Sequence, residues 1–205
     1  MSFIDKDIYI NITTPKWICM NNNTKQNTKQ NVNNKDPDVL FDGRVIYIPK
    51  SILNASYIFN TLLNIDEWFS YKGKKILHYP IDNFTLAGKM IIKALEDFFY
   101  SYNLTIFIHK IFGNYYPTGK SNAIISKNKH KYDDMDVVSL SFGESRLFYF
   151  KKNIQEPTRF INLSHGDILI FDKYMNNNYI HGITKESFIK NISFNIICFV
   201  TFFTK

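Results

Sequence analysis

The 205 residues make one domain's length, with room for an added tail, and are enough to bury a full core. Aromatic residues make up 17% of the chain, with 19 Phe and 13 Tyr, which excludes an intrinsically disordered protein. Net charge is +7; residues 1–40 hold five Lys against four Asp, or +1, so the other +6 belongs to residues 41–205. A basic domain suits nucleic acid or another polyanion, although a lysine-rich solvated surface gives the same arithmetic. Arg44, Arg146 and Arg159 are the only arginines, too few to favour bidentate base reading.

Cys19 and Cys198 form no zinc or redox motif, which points to a reducing, intracellular compartment, and Cys198 sits in an apolar run expected to be buried. The start "MSFIDKDIYI" has no signal-peptide core. The longest apolar run, "FNIICFVTFF", is too short and too strand-like to cross a membrane, so a soluble protein without a membrane partner is expected.

In chain order, "DIYINI" reads as a short edge strand, and the Asn/Lys/Gln-rich stretch after it, with Thr-Lys-Gln-Asn repeated at Thr24–Asn31, as a flexible insertion. That insertion serves as a spacer or as a polar arm touching a partner. Residues 1–40 are thus set apart from a single folded domain over 41–205. "RVIYIPK" reads as a strand ended by Pro49. Ser51 is placed to cap a helix with Ile52, Leu53, Phe59, Leu62 and Leu63 near helical spacing. A second helix is expected from Thr85 to about Tyr102, burying Leu86, Met90, Ile91, Leu95, Phe98 and Phe99. From Leu104 the pattern changes to short strands rich in β-branched and aromatic residues, from "LTIFIHKIF" to "NISFNIICFVTFF". Ser164-His165-Gly166-Asp167 reads as a hairpin turn. Helices first and strands later give an α+β class with the strands in a sandwich or barrel.

Four segments occur in a telling order: "NYYPTG" from Asn114, "VVSLSFGESRLFYF" from Val137, "LSHGDILIF" from Leu163 and "YIHGI" from Tyr179. Together, over about Val45 to Phe203 and including Trp68 after the first helix, they resemble the AlkB-like family of iron(II)/2-oxoglutarate oxygenases. The resemblance implies a double-stranded β-helix, or jelly roll, with N-terminal helices packed on one sheet. It implies Fe(II) held by a His-x-Asp pair and a distal His, with 2-oxoglutarate beside it. Family members commonly demethylate alkylated bases of DNA or RNA, and some act on proteins or lipids.

By this resemblance His181 stands at the distal metal ligand, and Asn114 and Tyr116 at positions whose side chains reach 2-oxoglutarate. Arg146 stands at a basic position found at the pocket mouth of some nucleic-acid demethylases, while His165-Gly166-Asp167 is a structural turn. The other family positions are not kept. Ile125 and Lys127 fall where His-x-Asp belongs, and a one-residue slip gives Ser126 and Asn128. A lysine about 4 Å from a divalent ion would repel it by roughly 8 kcal/mol at an effective dielectric near 20. Asn191 and Ile197 occupy the places of two arginines that grip 2-oxoglutarate, and the nearby Lys190 cannot supply their fork.

Beside a purely structural or host-interaction protein with no polyanion affinity, two readings follow. In one, catalysis is lost and the protein works by binding nucleic acid or a protein partner. In the other, an active dioxygenase acting on alkylated nucleic acid recruits His130 with Asp133 or Asp134 to join His181. The His-x-x-Asp spacing opposes the second reading, because residues i and i+3 of a strand point to opposite faces unless a bulge intervenes. His78 and His109 belong to no constellation, and Ser139 and Ser141 lack a paired base.

Overall fold

The computed structural model describes residues 38–80, 84–125, 134–153 and 155–204. The edge strand and insertion expected within residues 1–37, together with Lys127, His130 and Asp133, lie outside the described residues. The elements in chain order are β1 (Asp38–Leu40), β2 (Val45–Ile48), α1 (Ala55–Asn64), β3 (Phe69–Tyr71), β4 (Lys74–Pro80), α2 (Leu86–Tyr100), β5 (Leu104–Tyr116) and β6 (Ala123–Ile125). They continue as β7 (Asp136–Gly143), β8 (Arg146–Lys151), β9 (Arg159–Leu163), β10 (Ile168–Phe171), α3 (Lys173–Asn178), β11 (Ile180–Ile183) and β12 (Ser193–Thr204).

The strands form two antiparallel sheets, β1-β2-β10-β7-β12-β5-β4-β3 and β6-β11-β8-β9. This is the expected jelly roll, and period-2 alternation divides its residues between two cores. On β7, Val138, Leu140 and Phe142 join one core with Ile196 and Cys198 of β12 and with Ile91, Leu95 and Phe99 of α2. Val137 and Ile197 turn the other way, into a second core with Phe148, Phe150 and Leu163 of the smaller sheet. Helices α1 and α2 therefore cover the outer face of the larger sheet. Gly113 of β5 marks how closely this layer packs. A Cβ there would lie 2.9 Å from Leu77 Cβ and 3.2 Å from the Trp68 ring.

Details of the helices differ from the sequence reading. Helix α1 starts at Ala55, after Asn54 in the left-handed region at φ 60°. Ser51 does not cap it; its hydroxyl donates to the carbonyl of Pro49 at 3.1 Å. The backbone amides of Ser51 and Ile52 instead donate to the carbonyl of Gly166. Leu53 and Leu86, expected in buried stripes, are exposed, while Ile58, Ala87 and Gly88 are buried. The β3–β4 hairpin and the short helix α3 were not anticipated: "FSYKGKK" is too polar to read as a strand pair, and "KYMNNN" is too short for helical periodicity.

The Ser164–Asp167 turn fixes the β9–β10 corner. Gly166 adopts φ +83°, a conformation that disfavours any side chain. Asp167 is 1% exposed. Its carboxylate accepts from Ser164 N at 2.7 Å, Lys50 N at 2.8 Å and the Tyr47 hydroxyl at 2.8 Å. Three donors converging on one buried charge pin β2 to the turn. Asp167→Ala should therefore lower unfolding free energy by about 3 kcal/mol in urea titration, because it strands all three donors. A loss under about 1 kcal/mol would show that the turn holds without them.

Candidate functional site

Between the sheets lies a cavity of about 410 Å³. Its larger-sheet wall comes from β5, β12 and β7, read across the strands. Asn114 is the register partner of Asn195, and Asn195 is the partner of Ser141. The Asn195 amide donates to Ser139 Oγ at 2.7 Å. The cavity is thus belted by neutral amides and hydroxyls and otherwise walled by residues such as Phe112, Phe148, Phe171 and Ile197. Among the described residues, Lys110 is the one Lys or Arg lining it, and no carboxylate does. The Lys110 ammonium lies 5.9 Å from the centroid of the Phe112 ring.

His181 of β11 reaches this cavity from the smaller sheet. It is 2% exposed. Phe148 stacks on it at 6.1 Å between centroids and Phe171 meets it edge-on at 5.0 Å. Its Nδ1 lies 3.0 Å from the carbonyl of Tyr179, which can only accept, so Nδ1 carries the proton. Burial pushes its pKa from 6.5 down to about 4, partly offset by that carbonyl. The ring is therefore neutral at pH 7, with the Nε2 lone pair available, the form in which histidine ligates metals.

What stands opposite His181 is the register partner Ile125 of β6. An isoleucine has no donor atom, so the His-x-Asp departure read from the sequence is matched by the backbone pairing. Asp134, one candidate for a rerouted ligand, is exposed and accepts from Asn177 Nδ2 at 3.4 Å. Among the described residues no three His, Cys, Asp or Glu side chains come together as a metal site.

Asn114 and Tyr116, expected at the cofactor, both line the cavity. Tyr116 is 2% exposed, and its hydroxyl is buried without a hydrogen-bond partner among the described residues. Desolvation there drives its pKa upward, although nearby Arg146 opposes the shift. Of the two arginine positions, Asn191 is exposed and donates to Glu144 at 2.7 Å, while Ile197 lines the cavity. A dicarboxylate would meet Ile197, Asn195 and Ser139 on this wall, none of which carries charge.

Arg146 differs in placement from the pocket mouth expected of it. It is 3% exposed, with its Cζ 5.0 Å above the Tyr116 ring. Its Nε donates to Glu186 at 3.3 Å, and its Nη2 to the carbonyls of Ser121 at 2.7 Å and Thr184 at 2.8 Å. Glu186 also accepts from Leu147 N at 3.0 Å. This buried pair ties β8 to the loop after β11, and its charges answer each other. Sequence reasoning missed Glu186, Ser139 and Asn195. The polar residues interrupting "VVSLSFG" and "SFNIICF" at every second position were the available signal for the last two.

The neutral state of His181 makes stability depend on pH. Its pKa is lower in the fold than in the unfolded chain, so the unfolded chain binds more protons between about pH 6.5 and 4. Stability from this source is complete above pH 6.5 and falls by roughly 1.4 kcal/mol per pH unit below it, about 3 kcal/mol in all. Urea titrations from pH 7 to 4.5 should show a steeper fall for the native protein than for His181→Leu. Parallel curves would mean His181 is protonated without cost.

Residues 111–191 match a family model described as the 2OG-Fe(II) oxygenase superfamily. No curated protein matches the chain by sequence. Among solved structures, OsALKBH1 superposes with a TM-score of 0.56 at 15% identity, covering 76% of this chain and 96% of that one. An oxidoreductase of the 2OG-Fe(II) oxygenase family from Burkholderia pseudomallei gives 0.57 at 11% identity, covering 77% and 84%. A prolyl hydroxylase from Trichoplax adhaerens, in complex with a hypoxia inducible factor oxygen degradation domain peptide fragment, gives 0.54 at 13% identity, covering 77% and 83%. At these identities the structural likenesses bear on the fold alone, and they agree with the family match and with the order of the motifs. The family match over residues 111–191 and the shared fold together support an AlkB-like member of the 2OG-Fe(II) oxygenase superfamily.

Proposed function

We propose that this protein is a non-catalytic member of the superfamily that works by binding a partner, with nucleic acid the first class to test. The observation that carries the reading is the pairing of His181 with Ile125, combined with a cavity wall on which Ile197, Asn195 and Ser139 are uncharged and Lys110 is the one cation among the described residues. An Fe(II) site of this type needs three protein ligands and open positions; the described residues supply one imidazole. Two carboxylates of 2-oxoglutarate need fixed cations, and Ile197 stands at one of the expected arginine positions. These residues do not fit the metal and cofactor that the family implies, so no catalytic step is assigned to them.

Support for nucleic acid comes from the β3–β4 hairpin. Residues 69–75, "FSYKGKK", are all exposed and combine two aromatics with three lysines and no acid. Lys72 lies 5.3 Å from the centroid of the Tyr71 ring, and Lys75 lies 5.3 Å from that of Tyr115. Lys74 donates to the carbonyl of Asn122, just before β6, so the hairpin borders the strand that pairs with His181. Aromatic faces beside mobile cations suit unpaired bases and their phosphates.

Affinity for a single-stranded oligonucleotide, followed by fluorescence anisotropy, should fall steeply between 50 and 200 mM salt through counterion release. Replacing Lys72, Lys74 and Lys75 together with Ala should reduce the slope of log affinity against log salt by about 2, as expected for three lost phosphate contacts on a single strand. Absent or salt-insensitive binding to DNA and RNA would transfer the role to a protein partner. Succinate formation from 2-oxoglutarate with Fe(II) and alkylated oligonucleotides, abolished by His181→Ala, would overturn the non-catalytic reading.

A further inference from the structure

The cavity is open, and its described lining carries one cation, Lys110, and no acid. About 410 Å³ lies within the usual range of small-molecule sites, roughly 300–1,000 Å³. A cavity that had only lost a cofactor could have closed by substitution to larger side chains. Instead the phenyl rings of Phe112, Phe148 and Phe171 stand around an open space. Asn114, whose amide carries two donor hydrogens and an acceptor oxygen, lines it near the Asn195–Ser139 pair. Ile197 supplies an aliphatic surface where an anion holder was expected.

The nearest guanidinium does not restore the charge. Arg146 is matched by Glu186 at 3.3 Å and is further engaged by two carbonyls. An anionic ligand held at Asn114 would find no counter-charge at hand, because Lys110, the one cation of the described lining, is half-buried and lies four residues along β5, about 13 Å away at the rise of a strand, and burying a bare carboxylate is costly. An uncharged ring system would exchange apolar surface with the phenylalanines and need only one or two hydrogen bonds.

We propose that the barrel cavity is a binding site for a small, uncharged aromatic or alicyclic molecule bearing a hydroxyl or amide group that pairs with Asn114. This rests on the non-catalytic reading of the same site and adds a ligand class to it.

The test uses 2-naphthol, 2-naphthoate and 2-oxoglutarate as probes of the full chain at pH 7, by calorimetric titration with and without Mn(II). The expected result is one 2-naphthol per chain, 2-naphthoate at least about tenfold weaker because the polar end of the cavity at Asn114 offers its carboxylate no cation, and no heat from 2-oxoglutarate. Ile197→Arg places a guanidinium in the cavity and should abolish 2-naphthol binding while favouring 2-naphthoate. Asn114→Leu keeps the wall apolar and should weaken 2-naphthol about three- to tenfold, the worth of one neutral hydrogen bond. If Ile197→Arg does not fold, Asn114→Leu decides. 2-Naphthoate binding as tightly as 2-naphthol would overturn the proposal. So would 2-naphthol binding indifferent to both substitutions, which would place it elsewhere, such as the groove between α1 and α2 near Tyr57 and Phe98. Failure of all three probes would remove the ligand proposal and leave the non-catalytic reading standing. 2-Oxoglutarate binding in the presence of Mn(II) would remove that reading as well.

Discussion

Strand β12 carries the constraint on which the rest of the molecule depends. It is hydrogen-bonded along its length to β5 on one side and, from Ser193 to Val200, to β7 on the other. A strand fixed on both edges cannot slip by one residue without reversing every side chain. Phe194, Ile196 and Cys198 are therefore held toward the helices, and Asn195, Ile197 and Phe199 toward the cavity. The helix-facing set is wholly apolar and anchors the larger core. The cavity-facing set is free to vary in chemistry without unseating the strand, which is how the fold can persist while the site changes.

The change in the site is chiefly electrostatic. A cofactor with two carboxylates and a divalent metal demand opposite charges held in fixed places, and the described lining offers Lys110 alone as a cation and no acid. The ionic groups that remain buried nearby, Arg146 and Glu186, satisfy one another and close the end of the barrel. Removing either partner would leave the other charge uncompensated, so the pair persists for structural reasons. His181 is kept neutral by burial in a phenylalanine box, while the Tyr179 carbonyl fixes its tautomer and opposes the shift only in part. A mostly apolar chamber with a single cation, Lys110, on its described lining is the result of these separate features.

Much of this was legible in the sequence, and the reasons are local. The β-branched and aromatic runs after Leu104 announced the strands, and the ordered motifs announced their jelly-roll arrangement. The departures at Ile125 and Ile197 could be read because those motifs fixed the register on both sides. Less legible was whatever depends on tertiary context. The β3–β4 hairpin owes its strand form to pairing with β5 rather than to its own lysine-rich residues. The N-cap position of helix α1 is Asn54 instead of Ser51 because the carbonyl of Gly166, more than a hundred residues away in sequence, captures the amides of Ser51 and Ile52. Arg146 read as a cation at the pocket mouth because its partner, Glu186, lies 40 residues further along the chain.

The central claim is that the jelly roll has outlived its metal and cofactor site. Anaerobic calorimetric titration with Fe(II), in the presence and absence of 2-oxoglutarate, tests it most directly, since it asks about the ligands and not about an unknown substrate. The account predicts no stoichiometric heat from either species. Binding of one Fe(II) per chain at micromolar affinity, about −8 kcal/mol, lost on His181→Ala, would contradict it and direct attention to His130 and Asp133 as the missing ligands.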